Sequence, residues 1–180
     1  MTNPVKLAAA GRPAPPPLDT PTDLSPDGVA AICEQLNILT ADAFALLLKT
    51  KNFHWHVSGP HFRDYHLLLD DQAEQIFETI DPLAERVRKL GGETLRSISH
   101  IGRIQTLKDN NDEFVGPLDM LRELMADNKQ FTASLRRCHE TTEKNKDAAT
   151  ASVLETFIDD AEKRVWFLFE ASRASDKSGH

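Results

Sequence analysis

NFHWHVSGPHFRDYHLLLD, residues 52–70, is the stretch from which the fold of this chain can be read. Four histidines and two aspartates crowd these nineteen positions, beside Trp55 and a Ser58-Gly59-Pro60 break. Before the break, apolar residues step by threes and fours through Val29, Ile32, Leu36, Leu39, Ala43, Leu46 and Phe53, with polar Thr50 on the same stripe. After it, the same period runs through Phe62, Tyr65, Leu69, Ala73, Ile76, Ile80, Leu83, Val87 and Leu90, and Gly91-Gly92 ends it. Such spacing lays apolar groups along one side of an α-helix. The break is short enough to force the two helices antiparallel.

Working outward, Ser25-Pro26-Asp27 supplies a capping hydroxyl followed by proline at the first helical position, which starts the first helix. A third segment opens at Pro117 and carries Leu118, Leu121, Met125, Phe131, Leu135 and Cys138. A fourth starts near Asp147 and carries Val153, Phe157, Ala161, Val165 and Leu168. These two meet around residues 144–147, a second tight hairpin. Between the hairpins lie residues 91–116. That is too long for a turn, but enough to travel the roughly 40 Å of a 27-residue helix. Ile98, Ile101 and Ile104 repeat every three residues inside it and predict a short packed helix. The expected architecture is all-α: up-down, long crossover, down-up, in one four-helix bundle over residues 25–173. Residues 1–24, rich in Pro and Ala, read as an extended or disordered arm, and residues 174–180 as a flexible tail.

The bulk properties narrow the function. At 180 residues the chain can bury one sizeable core. Its formal charge of −7 disfavours a surface built mainly for nucleic acid and suits cationic partners. No run of eighteen apolar residues and no secretory h-region is present, so the expectation is a cytoplasmic protein without a membrane span. Cys33 and Cys138 sit inside helical patterns without a CxxC and read as small buried hydrophobes.

The chemistry lies in a second row on the second helix. His66 and Asp70 are four apart, as are Asp81 and Glu85, and Asp70 and Asp81 are nearly three whole turns apart. All four therefore face one side, one position off the apolar stripe, where they flank the core. His66 and Glu85 are separated by about 28 Å along the axis at 1.5 Å per residue. Ligands bond a metal at roughly 2.0–2.2 Å, so one helix cannot close one site with both ends. A second copy running antiparallel brings the His66/Asp70 end of one chain to the Asp81/Glu85 end of the other, and a two-fold axis makes two such sites. A site closed inside a single bundle draws on Glu-x-x-His motifs, and the sequence contains none.

Each residue also has a plainer reading. His54 and His56 close a helix, where histidines serve as end partners or surface groups. His61 follows Pro60 as a solvent or capping group and is left out of the candidate site. Trp55 alone reads as a packed aromatic. Asp81-Pro82 introduces a kink into the helix. Taken as a row, these residues point to metal.

The pattern His54-Trp55, Gly59, Phe62, His66, Asp70, Asp81, Ala84-Glu85-Arg86 and Leu90-Gly91-Gly92 resembles the Dps family (DNA protection during starvation), the mini-ferritins, over roughly residues 25–173. The resemblance implies a ferritin-like bundle assembled as a hollow homododecamer, with ferroxidase centres at dimer two-folds. Carried over by position, His54, His66 and Asp70 come from one chain and Asp81 and Glu85 from its partner, with Trp55 near the centre. Whether Asp70 bonds metal directly or orients a ligand stays open. The implied activity is oxidation of Fe(II) by hydrogen peroxide or dioxygen and storage of ferric oxyhydroxide, protecting DNA and cell from oxidative damage. The family admits iron through acidic pores, for which Asp147, Glu155 and Asp159 are candidates.

Mixed imidazole and carboxylate with open positions suits iron in both oxidation states, with Zn2+ or Mn2+ as competitors. Direct DNA binding is expected to be weak, because backbone affinity needs several positive charges. The arm offers Lys6 and Arg12 against Asp19 and Asp23, and the other end Arg164, Arg173 and Lys177. The alternatives are a nucleoid-binding structural protein with a vestigial metal site, and a zinc-bound helical scaffold without redox turnover.

Overall fold

The structure is a computed structural model and describes residue 18 and residues 20–173. The expected tail at 174–180 and most of the arm at 1–24 lie outside the described residues. Among those described there are five helices and no strand: α1 Pro26–His56, α2 Phe62–Lys89, α3 Ile98–Ile104, α4 Pro117–Lys144 and α5 Ala148–Ser172.

The helix ends fall where local chemistry puts them. Ser25 Oγ accepts from Gly28 N at 3.2 Å, and Pro26 occupies the first position of α1. Asp147 caps α5, with Oδ1 accepting from Thr150 N at 3.0 Å. At the end of α2, Gly91 takes φ +86°, a conformation that side chains resist. Gly91 N then donates to Arg88 O and Gly92 N to Val87 O, which closes the last turn. Gly92 is needed for a second reason: a Cβ there would lie 2.6 Å from Cys33 Sγ.

Cross-helix contacts fix the direction of each helix. Early α1 meets late α2 where Cys33 Sγ donates to Val87 O, and late α1 meets early α2 at His54 and His66. Gln35 bonds Thr141 and Lys49 pairs with Asp127, so α1 and α4 are antiparallel. Arg86 bonds Asp147, and Tyr65 bonds Ala171 O, so α2 and α5 are antiparallel too. The topology is therefore up-down-down-up. The two hairpins form the most extensive helix pairs, α1 against α4 and α2 against α5 close the bundle, and α3 lies on α1.

The crossover is tied to α1 in steps. Asn37 Nδ2 donates to Glu93 O at 2.8 Å. One turn on, the buried Asp42 carboxylate accepts from Thr106 N, Thr106 Oγ1 and Leu107 N at 2.5, 2.7 and 3.1 Å. Further still, Lys49 is buried between Asp127 at 2.7 Å and Glu123 at 3.0 Å. Burial is the largest influence on Lys49 and pulls its ammonium down. The bonds to Asp127 and Glu123 outweigh it and hold the group above the ordinary lysine range.

The core contains the apolar stripes of α1, α2 and α4, including Ile32, Leu36, Leu46, Leu69, Ile76, Leu83, Leu121 and Leu135. Each such side chain contributes about 1.5–3 kcal/mol of burial. α1 is long and apolar enough to cross a bilayer by composition. Its apolar surface instead serves α2, α3 and α4, and its buried Asp42, Lys49 and Thr50 are satisfied inside the bundle.

Two sequence expectations shift. Phe62 and Leu118 are exposed, because each opens its helix beyond the end of the core. The α5 stripe holds at Ala161 and Leu168 and changes at two positions between and before them. Leu154 and Arg164 are buried while Val153 and Val165 are only partly covered, because Arg164 turns inward to donate to Asn128 Oδ1 at 2.8 Å. α2 continues without a break through Pro82. The carbonyl of Glu78, which loses its helical donor there, lies on an exposed residue that water can reach.

Candidate metal centre

The last carbonyls of α1, His54's among them, have no donor within the helix. Two histidines tie this end to the early turns of α2. His54 Nδ1 donates to the carbonyl of His66 at 2.8 Å, and His66 Nδ1 donates to the carbonyl of His54 at 2.9 Å. A carbonyl can only accept, so both Nδ1 atoms carry a proton, and Nε2 is the nitrogen of each ring left for a metal. The two rings stack with centroids 3.7 Å apart and planes inclined by 23°. Phe62 leans on His66 at 5.0 Å between centroids. His54 is buried and His66 half-buried. This exchange fixes the orientation of both rings and turns Nδ1 of each to the backbone, the usual role of a metal-ligating histidine's outer partner.

Asp70 stands one turn beyond His66. Its Oδ1 is 3.8 Å from His54 Nε2 and accepts a short bond from Lys51 Nζ. That bond is the largest influence on Asp70 and holds its carboxyl below the usual range, helped by the charge of Lys51 and by His54 and His66, against a smaller desolvation effect. Lys51 was not among the sequence candidates. It lies three residues before His54 and so on the same face of α1, but that spacing alone does not single it out among the lysines.

Asp81 and Glu85 are exposed near the far end of α2, where Glu85 Oε2 accepts from Lys89 Nζ at 2.9 Å. Within one chain the structure therefore brings together His54, His66 and Asp70, and leaves Asp81 and Glu85 apart from them. Among the described residues, no group of three or more His, Cys, Asp or Glu converges as a metal site in the single chain. His56 and His61 are exposed and play no part; His56 Nδ1 donates back to Asn52 O. Trp55 is 62% exposed, so it is not a core aromatic of its own chain.

Trp55 belongs to an apolar face. With Leu48, Phe77 and Ile98, all exposed, it lines an open groove of about 1140 Å³ between α1, α2 and α3. The acidic pore candidates divide. Asp147 is buried, bonded to Arg86 at 2.7 Å and committed to its cap, so it cannot line a channel. Glu155 and Asp159 are exposed, with Glu155 3.1 Å from His139 Nε2.

Comparison with known proteins agrees with this fold and residue pattern. Residues 33–172 match the ferritin-like domain family. An uncharacterised low temperature-induced protein of Nostoc sp. is 35% identical over 134 residues, covering 74% of this chain and 75% of that one. A DNA protection during starvation protein of Agrobacterium fabrum is 30% identical over 149 residues, 83% of this chain and 92% of the relative. The structure of DpsC from Streptomyces coelicolor superposes with a TM-score of 0.83 at 29% identity, covering 87% of this chain and 91% of that one. With its ferritin-like bundle and these relatives, the chain belongs to the Dps family of ferritin-like proteins.

Proposed function

We propose that this protein is an iron-sequestering ferroxidase cage. In this reading it oxidises Fe(II) with hydrogen peroxide or dioxygen at sites shared between subunits, and retains the ferric product as oxyhydroxide. The observation that carries the reading is the reciprocal His54–His66 exchange, which aims two imidazole lone pairs beside Asp70 at one end of α2. Asp81 and Glu85, carboxylates that suit a ferric product, lie about 28 Å along the same helix. A two-fold partner running antiparallel supplies them to that half-site, giving the set His54, His66, Asp70 and the partner chain's carboxylate pair. The exposed Leu48, Trp55, Phe77 and Ile98 offer the apolar surface such a partner would cover.

In this assignment the histidines hold Fe(II), the carboxylates stabilise the added charge, and Trp55 stands at the rim. Two ferrous ions give one electron each to one peroxide, which with two protons leaves as two waters, so no hydroxyl radical is released. The family likeness supports a homododecamer in the cytoplasm. Protection of DNA then follows from removing iron and peroxide, without tight DNA contact by a chain of charge −7.

The test is anaerobic Fe(II) titration followed by peroxide, reading ferric absorbance, for wild type, His66→Ala and Glu85→Ala. Saturable binding and fast oxidation are expected in wild type; both variants should lose the fast oxidation, and His66→Ala the tight binding as well. Mixing the two variants as re-associated dimers should restore activity, because one site of each mixed dimer keeps every ligand. Oxidation no faster than buffer would overturn the reading and leave a structural or zinc-bound role.

A further inference from the structure

Two lysines, two residues apart on α1, are used in opposite ways. Lys49 is enclosed: its side chain is 5% exposed and held by both Asp127 and Glu123. Lys51 is 31% exposed and pairs with a single carboxylate, Asp70, itself 40% exposed. The oxygen it engages, Oδ1, is the one that faces His54 Nε2 at 3.8 Å. The Lys51 ammonium therefore sits on the acceptor that a metal beside the histidines would use.

We propose that Lys51 is the resident counter-ion of the metal-free half-site, and that a divalent cation must displace it from Asp70 to bind. The inference rests on the metal-site reading of His54, His66 and Asp70. The reason is electrostatic. Without metal, Asp70 needs a cation, and a flexible lysine stem provides one reversibly. An incoming divalent ion meets an occupied oxygen, so its affinity is reduced by the strength of the ion pair it must break. Once displaced, the ammonium has somewhere to go. Lys51, Glu74 and Glu78 line the same groove, and Glu74 lies one turn beyond Asp70 on α2. Arginine would not serve the purpose, because its planar fork can grip a carboxylate through two bonds and resists exchange.

The experiment uses the assembled full-length protein and Co(II), which air does not oxidise, read by calorimetry and by the visible absorbance of bound cobalt. Lys51→Met is expected to bind Co(II) on the order of 10-fold more tightly than wild type. Lys51→Arg should bind no more tightly than wild type. In an Asp70→Asn background, Lys51→Met should change nothing, since the competition acts only through Asp70. Circular dichroism and particle size screen each variant for folding, and Lys51→Gln replaces Lys51→Met if the latter misassembles.

Equal or weaker Co(II) binding by folded Lys51→Met, while wild type binds and His66→Ala does not, overturns the inference and leaves the site intact. So does a gain that persists with Asn at position 70. If wild type does not bind Co(II), or His66→Ala binds as well as wild type, the metal-site reading fails first and the inference falls with it.

Discussion

The two ends of α2 are built on opposite principles. At the N-terminal end, His66 is locked to α1 by two hydrogen bonds and a ring stack, and Asp70 is held by Lys51. At the C-terminal end, Asp81 and Glu85 are exposed, and Glu85 touches only a lysine on its own helix. One half is organised before any ligand arrives, because the antiparallel neighbour within the chain supplies its supports. The other half has no such neighbour and depends on a partner. Preorganisation lowers the cost of binding, so the histidine end should dominate affinity while the carboxylate end should decide whether a bound ion is oxidised.

The largest effect that could break this contrast is at His66. Its removal takes away a ligand and the ring stacked on His54, while the His66 carbonyl that accepts from His54 Nδ1 remains, so Fe(II) or Co(II) affinity should fall by about 100-fold or more. Calorimetry checks this, and a loss under threefold would refute the asymmetry. Glu85→Ala should weaken metal binding less, about 10-fold, yet suppress peroxide-driven oxidation as fully as His66→Ala. Its unfolding midpoint should stay within about 0.5 kcal/mol of wild type, since an exposed side chain is removed. A marked loss of stability would mean that Glu85 is held by something within its own chain.

Pro82 sharpens the same point from the backbone. It removes one helical hydrogen bond within the carboxylate end, a defect worth roughly 3 kcal/mol in a helix interior. Pro82→Ala is expected to stabilise the fold by about 1–2 kcal/mol after the loss of proline's restriction of the unfolded chain, as measured by denaturant unfolding. If iron oxidation drops at the same time, the proline sets the aim of Asp81 and Glu85. The smallest effect belongs to Lys89→Ala. An exposed i,i+4 pair contributes about 0.3–0.5 kcal/mol, so stability should barely move, while metal affinity rises by no more than about threefold as Glu85 is freed.

The same contrast explains what could be read in advance. The glycine pair 91–92, the Ser25-Pro26 start and the isoleucine triplet of the crossover located every helix to within a residue or two, because caps and periodicity are local properties. The offset of His66, Asp70, Asp81 and Glu85 from the apolar stripe was equally legible, since helical geometry alone puts them on one side. Lys51 escaped, being one lysine among many in the sequence and distinguished only by where α2 brings Asp70. On α5, Ala161 and Leu168 were legible but Arg164 was not, because it counts as polar in any pattern, while in the bundle its guanidinium donates to Asn128.

The sequence by itself determined the helices, their order and the line of candidate ligands along α2, since all of these follow from 3.6 residues per turn and the chemistry of chain ends. Only the tertiary structure decided which atoms of those residues are available. The exchange of Nδ1 protons for backbone carbonyls between His54 and His66, and the Lys51 ammonium on Asp70, exist because α1 and α2 pack antiparallel. Tautomer and counter-ion depend on neighbours brought close across a turn, and no spacing along the chain encodes them.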